Sequence, residues 1–225
     1  MVTKVYLVRH CQSMGNIQHR FQGQYDAEVS PDGEKQLALL GLRFRNEPID
    51  RIYTSPLIRA KKTALAIGQY HPDVPVIEEP GMIEIDCGKM ENLPLSEISE
   101  KFPVAARNWD ESPDLCEFPD GETMPEVYAR VNAALDRILS ENTGKTVVVT
   151  THGGVLRNLY ARITYGNLEG IRKTQIFGNT SVSLLTAESG ELRWQFVNDN
   201  SHLPEAMRRP PTRFRFTEEK EKPLL

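Results

Sequence analysis

Short runs of apolar residues recur along the chain, and two of them end in a histidine. The first is Lys4–His10 and the second is Lys145–His152. Both runs are rich in β-branched residues, a pattern typical of parallel strands that are buried on both faces. Because ligands bind beyond the carboxyl ends of strands in open α/β sheets, the pattern predicts that these two histidines share one site.

A third run, Arg51–Ser55, is followed by a segment with helical spacing. Ser55 is suited to cap that helix and Pro56 to occupy its first position. Arg59 is then expected in the first helical turn, above the same edge of the sheet. The free N–H groups and the positive dipole end of a helix N-terminus favour a bound anion, so this edge is a candidate anion site.

Helical and strand patterns alternate over the rest of the chain without a Gly/Ser-rich break. Three further helices are predicted over 30–44, 122–142 and 155–163, and a late β-hairpin is predicted from strands at 181–186 and 191–197. Alternating elements of this kind predict an α/β fold. We expect a three-layer sandwich with a mostly parallel central sheet flanked by helices.

The same pattern indicates one domain over residues 1–203. Its least periodic interior stretch is 86–121, which contains four prolines. Long irregular connections are often functional lids, so we interpret this stretch as a lid or insertion over the site, with a passive surface excursion as the alternative. Residues 204–225 mix arginines, glutamates and prolines and are expected to form a C-terminal extension, held by the domain itself or by a partner chain.

Charge and composition narrow the function. The chain has a net charge of −4, yet Arg9, His10, Arg59 and His152 are predicted to form a positive cluster. A positive pocket on a mildly acidic protein suits a small phosphorylated metabolite, whereas nucleic acid would require a broad basic face. No stretch has membrane-spanning length or the form of a signal peptide, and the three cysteines lack metal-ligand spacing. We therefore expect a cytoplasmic protein without a nucleic-acid or membrane partner.

Five sequence blocks, taken in order, resemble the histidine phosphatase superfamily, which is also called phosphoglycerate mutase-like. Each block alone is weak evidence, but the ordered set is specific and covers nearly the whole chain to about residue 203. The blocks are Arg9–Asn16, Phe21–Gly33, Thr54–Ala64, Glu84–Leu93 and Thr151–Val155, and Asn179–Ser181 is similar to a late strand of the family.

The resemblance assigns expected roles to these positions. His10 is the expected nucleophile, which forms a phosphohistidine and so divides one difficult displacement into two easier ones. Arg9 and Arg59 have planar, charged groups that match phosphate oxygens, and His152 is expected to be protonated when phosphate is bound. Glu84 is the expected general acid, although residue chemistry alone does not choose between it and Asp86. The expected substrate-binding residues are Asn16, Gln22, Gly23 and Gly153.

Three functions fit these expectations. The one we favour is a phosphatase that hydrolyses a small phosphomonoester through a phosphohistidine, with no cofactor and no metal ion. A cofactor-dependent phosphoglycerate mutase is the alternative, but Glu84 is followed by Ile85-Asp86, where dedicated mutases have Arg-His. A catalytically silent phospholigand-binding protein is the third. The substrate and the oligomeric state stay open, a homodimer included.

Cys11 departs from the family pattern, which has glycine at this position. If the thiol lies near Arg9 and a protonated His152, its pKa is lowered and the cysteine is reactive toward oxidants and alkylating agents. If the side chain points into the core, Cys11 is instead a small inert hydrophobic residue. The sequence leaves both alternatives open.

Overall fold

A computed structural model describes residues 1–208 and Phe216. Within these residues, a six-stranded central sheet has the strand order β4-β3-β6-β1-β7-β8. A separate antiparallel pair is formed by β2 and β5. The strands are β1 (Thr3–Arg9), β2 (Arg20–Phe21), β3 (Arg51–Thr54), β4 (Val76–Glu78), β5 (Leu93–Pro94), β6 (Thr146–Thr151), β7 (Val182–Glu188) and β8 (Glu191–Asp199).

The sheet is mostly parallel, as the sequence predicted. The four strands β4, β3, β6 and β1 run parallel to one another. The hairpin β7–β8 adds two antiparallel strands on the other side of β1. The two predicted runs that end in histidine are the adjacent strands β1 and β6. Their register pairs Arg9 with Thr151, so both strands end at the same level and His10 and His152 follow side by side.

Helices cover both faces of the sheet and produce three layers. Alternate residues of β1 point to opposite faces, so Val5 and Leu7 belong to one core cluster and Tyr6 and Val8 to the other. The longer helices within the described residues are α2 (Pro31–Phe44), α3 (Ile58–Gly68), α6 (Met124–Glu141) and α7 (Gly153–Tyr165), and the shorter ones are α1 (Met14–Ile17), α4 (Leu95–Lys101) and α5 (Pro103–Glu111). The expected α/β sandwich is therefore confirmed.

Local capping explains where the helices begin. The Ser30 hydroxyl accepts a hydrogen bond from Gly33 N–H at the start of α2. Thr123 and Glu126 form a reciprocal capping box at the start of α6. Both starts lie within one or two residues of the predicted positions.

Among the described residues, no helix is long and apolar enough to cross a membrane.

The predicted start of α3 is wrong by two residues. The helix begins at Ile58 rather than Pro56, and its N-cap residue is Leu57, which makes no side-chain cap. The Asp26 carboxylate, from a loop far away in sequence, accepts the Ile58 N–H at 2.9 Å instead. Ser55 is therefore not the cap, and its hydroxyl bonds the ring of His152. Arg59 still lies in the first turn, as expected.

Two other expected regions can be compared with the structure. The stretch 86–121 contains β5, α4 and α5 with one short 3-10 turn before them and one after them, in agreement with the short helical pieces that were predicted. Of the expected C-terminal extension, residues 209–215 and 217–225 lie outside the described part of the chain. Phe216 is described, and its buried ring packs against Phe21 and Trp109.

Candidate active site

The ends of β1 and β6 bring the two predicted histidines together. The rings of His10 and His152 have centroids 5.2 Å apart, and both side chains are almost completely buried. The His10 N–H donates a 2.8 Å hydrogen bond to the Thr151 carbonyl, which continues the β-ladder beyond the strands. Parallel pairing in register is thus the physical cause of the contact between the histidines.

A cavity of about 180 Å³ opens beside His10 at this edge of the sheet. At about 30 Å³ per water, it has room for roughly six waters, which suits a small metabolite. Two residues of the 86–121 stretch, Cys87 and Trp109, form part of its wall. The predicted site residues that line the cavity are Arg9, His10, Gln22, Gly23, Arg59, Glu84 and Gly153.

Both predicted arginines are fixed by backbone carbonyl groups on one side. Arg9 donates to the Phe177 carbonyl, and Arg59 donates to the carbonyls of Tyr25 at 2.9 Å and Gly23 at 2.7 Å. Burial lowers the pKa of Arg9 to about 10, with Glu84 opposing this effect and Arg59 adding to it, so Arg9 stays a cation at neutral pH. These anchors orient two permanent charges before any ligand binds.

Three buried nitrogen atoms in this region have no hydrogen-bond partner among the described residues. They are Nε of Arg9, Nε of Arg59 and Nδ1 of His152. Buried polar atoms are rarely left unpaired, because each loses its hydration without compensation. Three such atoms around two cations indicate a site for an anion with several acceptor oxygens, such as a phosphoryl group.

The hydrogen bonding of His10 defines its tautomer. Its Nδ1 lies 2.6 Å from the carbonyl oxygen of Cys11, which can only accept a hydrogen bond. Nδ1 therefore carries the proton, and Nε2 has the free lone pair. Burial, followed by the charges of Arg59 and Arg9, holds the pKa of His10 well below its ordinary value. His10 is thus a neutral imidazole with a lone pair available for attack on phosphorus.

His152 has the same electrostatic character. Burial, then Arg59, His10 and Arg9, lower its pKa well below the ordinary histidine value. The unliganded site therefore holds His152 in the neutral form. Protonation of His152 was expected when phosphate is bound and stays a prediction. It requires the negative charge of a bound phosphoryl group to offset the burial and the neighbouring charges that lower the pKa.

The structure separates the two candidate carboxylates. The carboxylate of Glu84 lines the cavity and accepts hydrogen bonds from the N–H groups of Ile85 at 3.0 Å and Gly154 at 3.2 Å. The Asp86 carboxylate instead accepts the Gly88 N–H at 2.9 Å and holds a turn. Glu84 alone of this pair is placed to exchange a proton with a ligand in the cavity.

Two of the predicted substrate-binding residues differ in their position. Gln22 lines the cavity, and its side-chain oxygen accepts the Ser13 hydroxyl at 2.7 Å. Asn16 does not line the cavity. Its oxygen accepts hydrogen bonds from the Ser13 N–H and the Asn179 side chain, so it braces the loop that follows β1.

Cys11 is fully buried and points into the core between β1 and α3. Its Sγ lies 3.7 Å from the Arg59 carbonyl, and its backbone N–H donates to the Thr63 hydroxyl at 3.0 Å. Burial raises the pKa of the thiol to about 12. Of the two alternatives, the inert one therefore fits the structure and the reactive thiolate does not, because burial outweighs the effects of the Thr63 hydrogen bond and the Lys62 charge on the pKa.

Sequence reasoning missed part of the cavity wall. Trp109, Ile176 and Phe177 provide apolar surface, and the guanidinium of Arg157 lies 5.2 Å from the centre of the Trp109 ring. Arg157 is one helical turn beyond Gly153 in α7 and therefore on the same face. That four-residue spacing was the available signal. Trp109 had none, because tertiary packing alone brings its segment here.

Across 1–208 and Phe216, no group of three or more His, Cys, Asp or Glu side chains could hold a metal ion. The positive charge that a phosphoryl group requires is available from Arg9 and Arg59. Independence of metal ions stays a prediction.

The fold, the paired histidines and the anion site define a phosphohistidine-forming phosphatase. The chain belongs to the histidine phosphatase superfamily (branch 1), whose family model matches residues 5–200. Enzymes of this superfamily act through a phosphohistidine intermediate, and this chain is a phosphatase of that class that acts on a small phosphomonoester.

Similar proteins agree with this assignment. Phosphoserine phosphatase 1 of Hydrogenobacter thermophilus is 35% identical over 206 residues, which cover 91% of this chain and 96% of the relative. A metal-independent phosphoserine phosphatase of Arabidopsis thaliana is 37% identical over 172 residues, with 75% and 72% covered. The solved structure of Bacillus stearothermophilus YhfR has a TM-score of 0.84 at 28% identity and covers 89% of this chain and 98% of its own.

Proposed function

We propose that this enzyme is a phosphoserine phosphatase and that its catalytic residues are those grouped at the sheet edge. The observation that supports the substrate most directly is the small cavity, whose lining includes Arg157 in addition to Arg9 and Arg59. With Arg9 and Arg59 assigned to the phosphoryl group, a third cation in so small a cavity suits a phosphomonoester that also carries a carboxylate. The names of the Hydrogenobacter and Arabidopsis relatives point to the same substrate.

In the first chemical step, Arg9, Arg59 and His152 hold the phosphoryl oxygens. The lone pair on Nε2 of His10 attacks phosphorus, an N–P bond forms, and the P–O bond to the serine oxygen breaks. Glu84 gives its proton to that oxygen, so serine leaves as a neutral alcohol. The Cys11 carbonyl, 2.6 Å from Nδ1, stabilises the positive charge that develops on the ring.

In the second step, water attacks the phosphorus of phosphohistidine. The Glu84 carboxylate takes a proton from the water, the N–P bond breaks, and its electron pair returns to Nε2 of His10. Inorganic phosphate leaves and the enzyme returns to its starting protonation state. Phosphoryl transfer depends mainly on positioning and electrostatic stabilisation, which the fixed arginines and histidines supply.

A hydrolysis panel tests the substrate. Phosphate release would be measured for phosphoserine, 3-phosphoglycerate, glucose 6-phosphate and phosphoethanolamine, which is phosphoserine without its carboxylate. We expect phosphoserine to have the highest kcat/KM, with phosphoethanolamine lower by about 10²-fold, because phosphoethanolamine lacks the carboxylate that would form charge-assisted hydrogen bonds with Arg157. Arg157→Met should reduce the ratio of kcat/KM for phosphoserine to kcat/KM for phosphoethanolamine. Full activity in excess EDTA is expected throughout.

Three outcomes of the panel are distinguishable. A phosphoethanolamine rate equal to that of phosphoserine would reject the carboxylate contact. Rapid hydrolysis of another phosphomonoester with none of phosphoserine would reject the substrate but keep the phosphatase chemistry. Interconversion of 3- and 2-phosphoglycerate with slow phosphate release would establish the mutase alternative instead.

We also propose a cytoplasmic location. All three cysteines, Cys11, Cys87 and Cys116, are free and buried, which suits a reducing compartment. Fractionation of cells followed by detection of the protein would test this. The homodimer stays a prediction, to be checked by the molar mass in solution.

A further inference from the structure

A buried serine contacts the second histidine of the site from the side of β3. The Ser55 side-chain oxygen lies 2.7 Å from Nε2 of His152, and neither residue is exposed to solvent. The backbone places Ser55 there because β3 and β6 run parallel in register. Thr54 pairs with Thr150, and the Ser55 N–H donates to the Thr150 carbonyl at 3.0 Å.

The surroundings of the Ser55 hydroxyl decide which partner donates. Its oxygen already accepts the Leu57 N–H at 3.3 Å, which uses one of its two lone pairs. The hydroxyl proton needs an acceptor, and Nε2 of His152 is the acceptor within reach. If Nε2 carried the proton instead, the buried hydroxyl proton would be left without a partner, which is costly.

A neutral imidazole carries one proton, so an Nε2 that accepts implies an Nδ1 that donates. That Nδ1 is one of the three buried nitrogen atoms without a partner, beside the ring of His10. We propose that Ser55 is a positioning residue that holds His152 in its Nδ1–H tautomer, so that neutral His152 donates a hydrogen bond to the phosphoryl oxygens. This rests on the phosphoryl-binding role of His152 in the proposed function.

The proposal has a mechanistic consequence for phosphoryl binding. A third N–H donor becomes available without a third positive charge in a site that already holds Arg9 and Arg59. The opposite tautomer would present a lone pair to the phosphoryl oxygens and repel them. Ser55 thereby affects binding and transition-state stabilisation without touching the substrate.

The test compares Ser55→Ala with a matched control, Ser181→Ala. Ser181 is equally buried near the end of β1, and its side-chain oxygen has no hydrogen-bond partner in the described structure. Ser55→Cys keeps the shape of the site but replaces the hydroxyl with a weak hydrogen-bond donor. This variant therefore tests the effect on the His152 tautomer if Ser55→Ala does not fold.

The direct readout is the tautomer of His152, observed by ¹⁵N NMR of histidine-labelled enzyme without substrate. We expect a protonated Nδ1 in wild type and in Ser181→Ala, and a mixed or reversed tautomer in Ser55→Ala and Ser55→Cys. In parallel, the affinity for inorganic phosphate and kcat should each fall by about 10- to 10²-fold in the Ser55 variants alone.

Two results would overturn the proposal. One is an unchanged Nδ1–H tautomer in folded Ser55→Cys, and the other is an Nε2–H tautomer in wild type. The NMR measurement needs no substrate, so its outcome is independent of whether phosphoserine is the right one. Loss of kcat with an unchanged tautomer would assign Ser55 a packing role instead and would also reject the proposal.

Discussion

The Arg59 guanidinium donates a 2.7 Å hydrogen bond to the carbonyl of Gly23, which joins a cation proposed to bind phosphate to the loop that lines the cavity. The cation comes from α3 and the glycine from the loop after β2, so two separate parts of the chain are held in one geometry. The loop is also held by Glu91, which accepts the Gln24 N–H at 2.7 Å.

Gly23→Ala is expected to disturb this geometry. Gly23 has a φ of +52°, and an added Cβ would collide with the Glu91 carboxylate. We expect a loss of about 1–2 kcal/mol in the free energy of unfolding and a fall in kcat/KM of about 10- to 10²-fold. The control is Gly68→Ala at the end of α3, where a Cβ has ordinary contacts at 3.5 Å or more. Equal stability of the two variants in urea unfolding would contradict the prediction.

The nucleophile can be identified by trapping the intermediate. His10→Ala should lower turnover by about 10⁴-fold or more, because it removes the imidazole lone pair proposed to attack phosphorus. Wild type quenched in alkali should carry an acid-labile phosphate on His10, located by mass spectrometry. His152→Ala should lose most activity and retain weak phosphate binding. Label on a serine or an aspartate would reject the mechanism.

The role of Glu84 can be separated from that of Asp86 by the choice of leaving group. Glu84→Gln should lower phosphoserine hydrolysis by about 10²–10⁴-fold, because the departing serine oxygen loses its proton donor. The loss should be much smaller for p-nitrophenyl phosphate, whose leaving group needs no proton. Asp86→Asn, which only affects a turn, should change neither rate by more than a few-fold. Equal losses for both substrates would argue against general-acid catalysis.

Cys11 should resist alkylation in the folded enzyme. Its pKa of about 12 keeps it a protonated thiol at pH 8, and no part of the side chain is exposed. Iodoacetamide should therefore leave the activity of wild type and Cys11→Gly equally unchanged, and modify Cys11 only after unfolding. Rapid inactivation of wild type that phosphate prevents, with Cys11→Gly resistant, would restore the reactive alternative.

The buried histidines should make stability depend on pH. Burial, and then Arg43, lower the pKa of His202 to about 4, whereas the unfolded chain binds this proton near pH 6.5. The unfolded state therefore binds more protons between these values, so the free energy of unfolding falls as pH decreases from about 6.5 to 4. The lowered pKa values of His10 and His152 also make the free energy of unfolding fall as pH decreases.

Replacement of His202 isolates its share of the effect. In urea unfolding at a series of pH values, the free energy of unfolding of wild type should fall between pH 6.5 and 4. His202→Gln should make this fall smaller by about 1–3 kcal/mol. His19→Gln, at an exposed position, should leave the pH dependence as in wild type. A curve for His202→Gln that parallels wild type throughout would show that His202 does not titrate in this way.

The core of this fold could be predicted because it depends on local patterns. Continuous β-branched runs identified β1 and β6, helical spacing identified α2, α6 and α7, and strand-end placement paired His10 with His152. Burial on both faces of a parallel strand leaves a direct signature in composition, and the register of such strands follows from where the apolar runs stop.

The sequence alone determined that Arg9, His10, Arg59 and His152 belong to one positive site at a sheet edge. Only the tertiary structure decided between Glu84 and Asp86, turned Ser55 from a helix cap into a partner of His152, and buried the Cys11 thiol. Trp109 also reached the cavity only through packing, whereas the spacing of Arg157 from Gly153 was a signal in the sequence. These outcomes depend on which loop contacts which strand end and on how deeply each side chain is buried. Neither property follows from the residues that are adjacent in sequence.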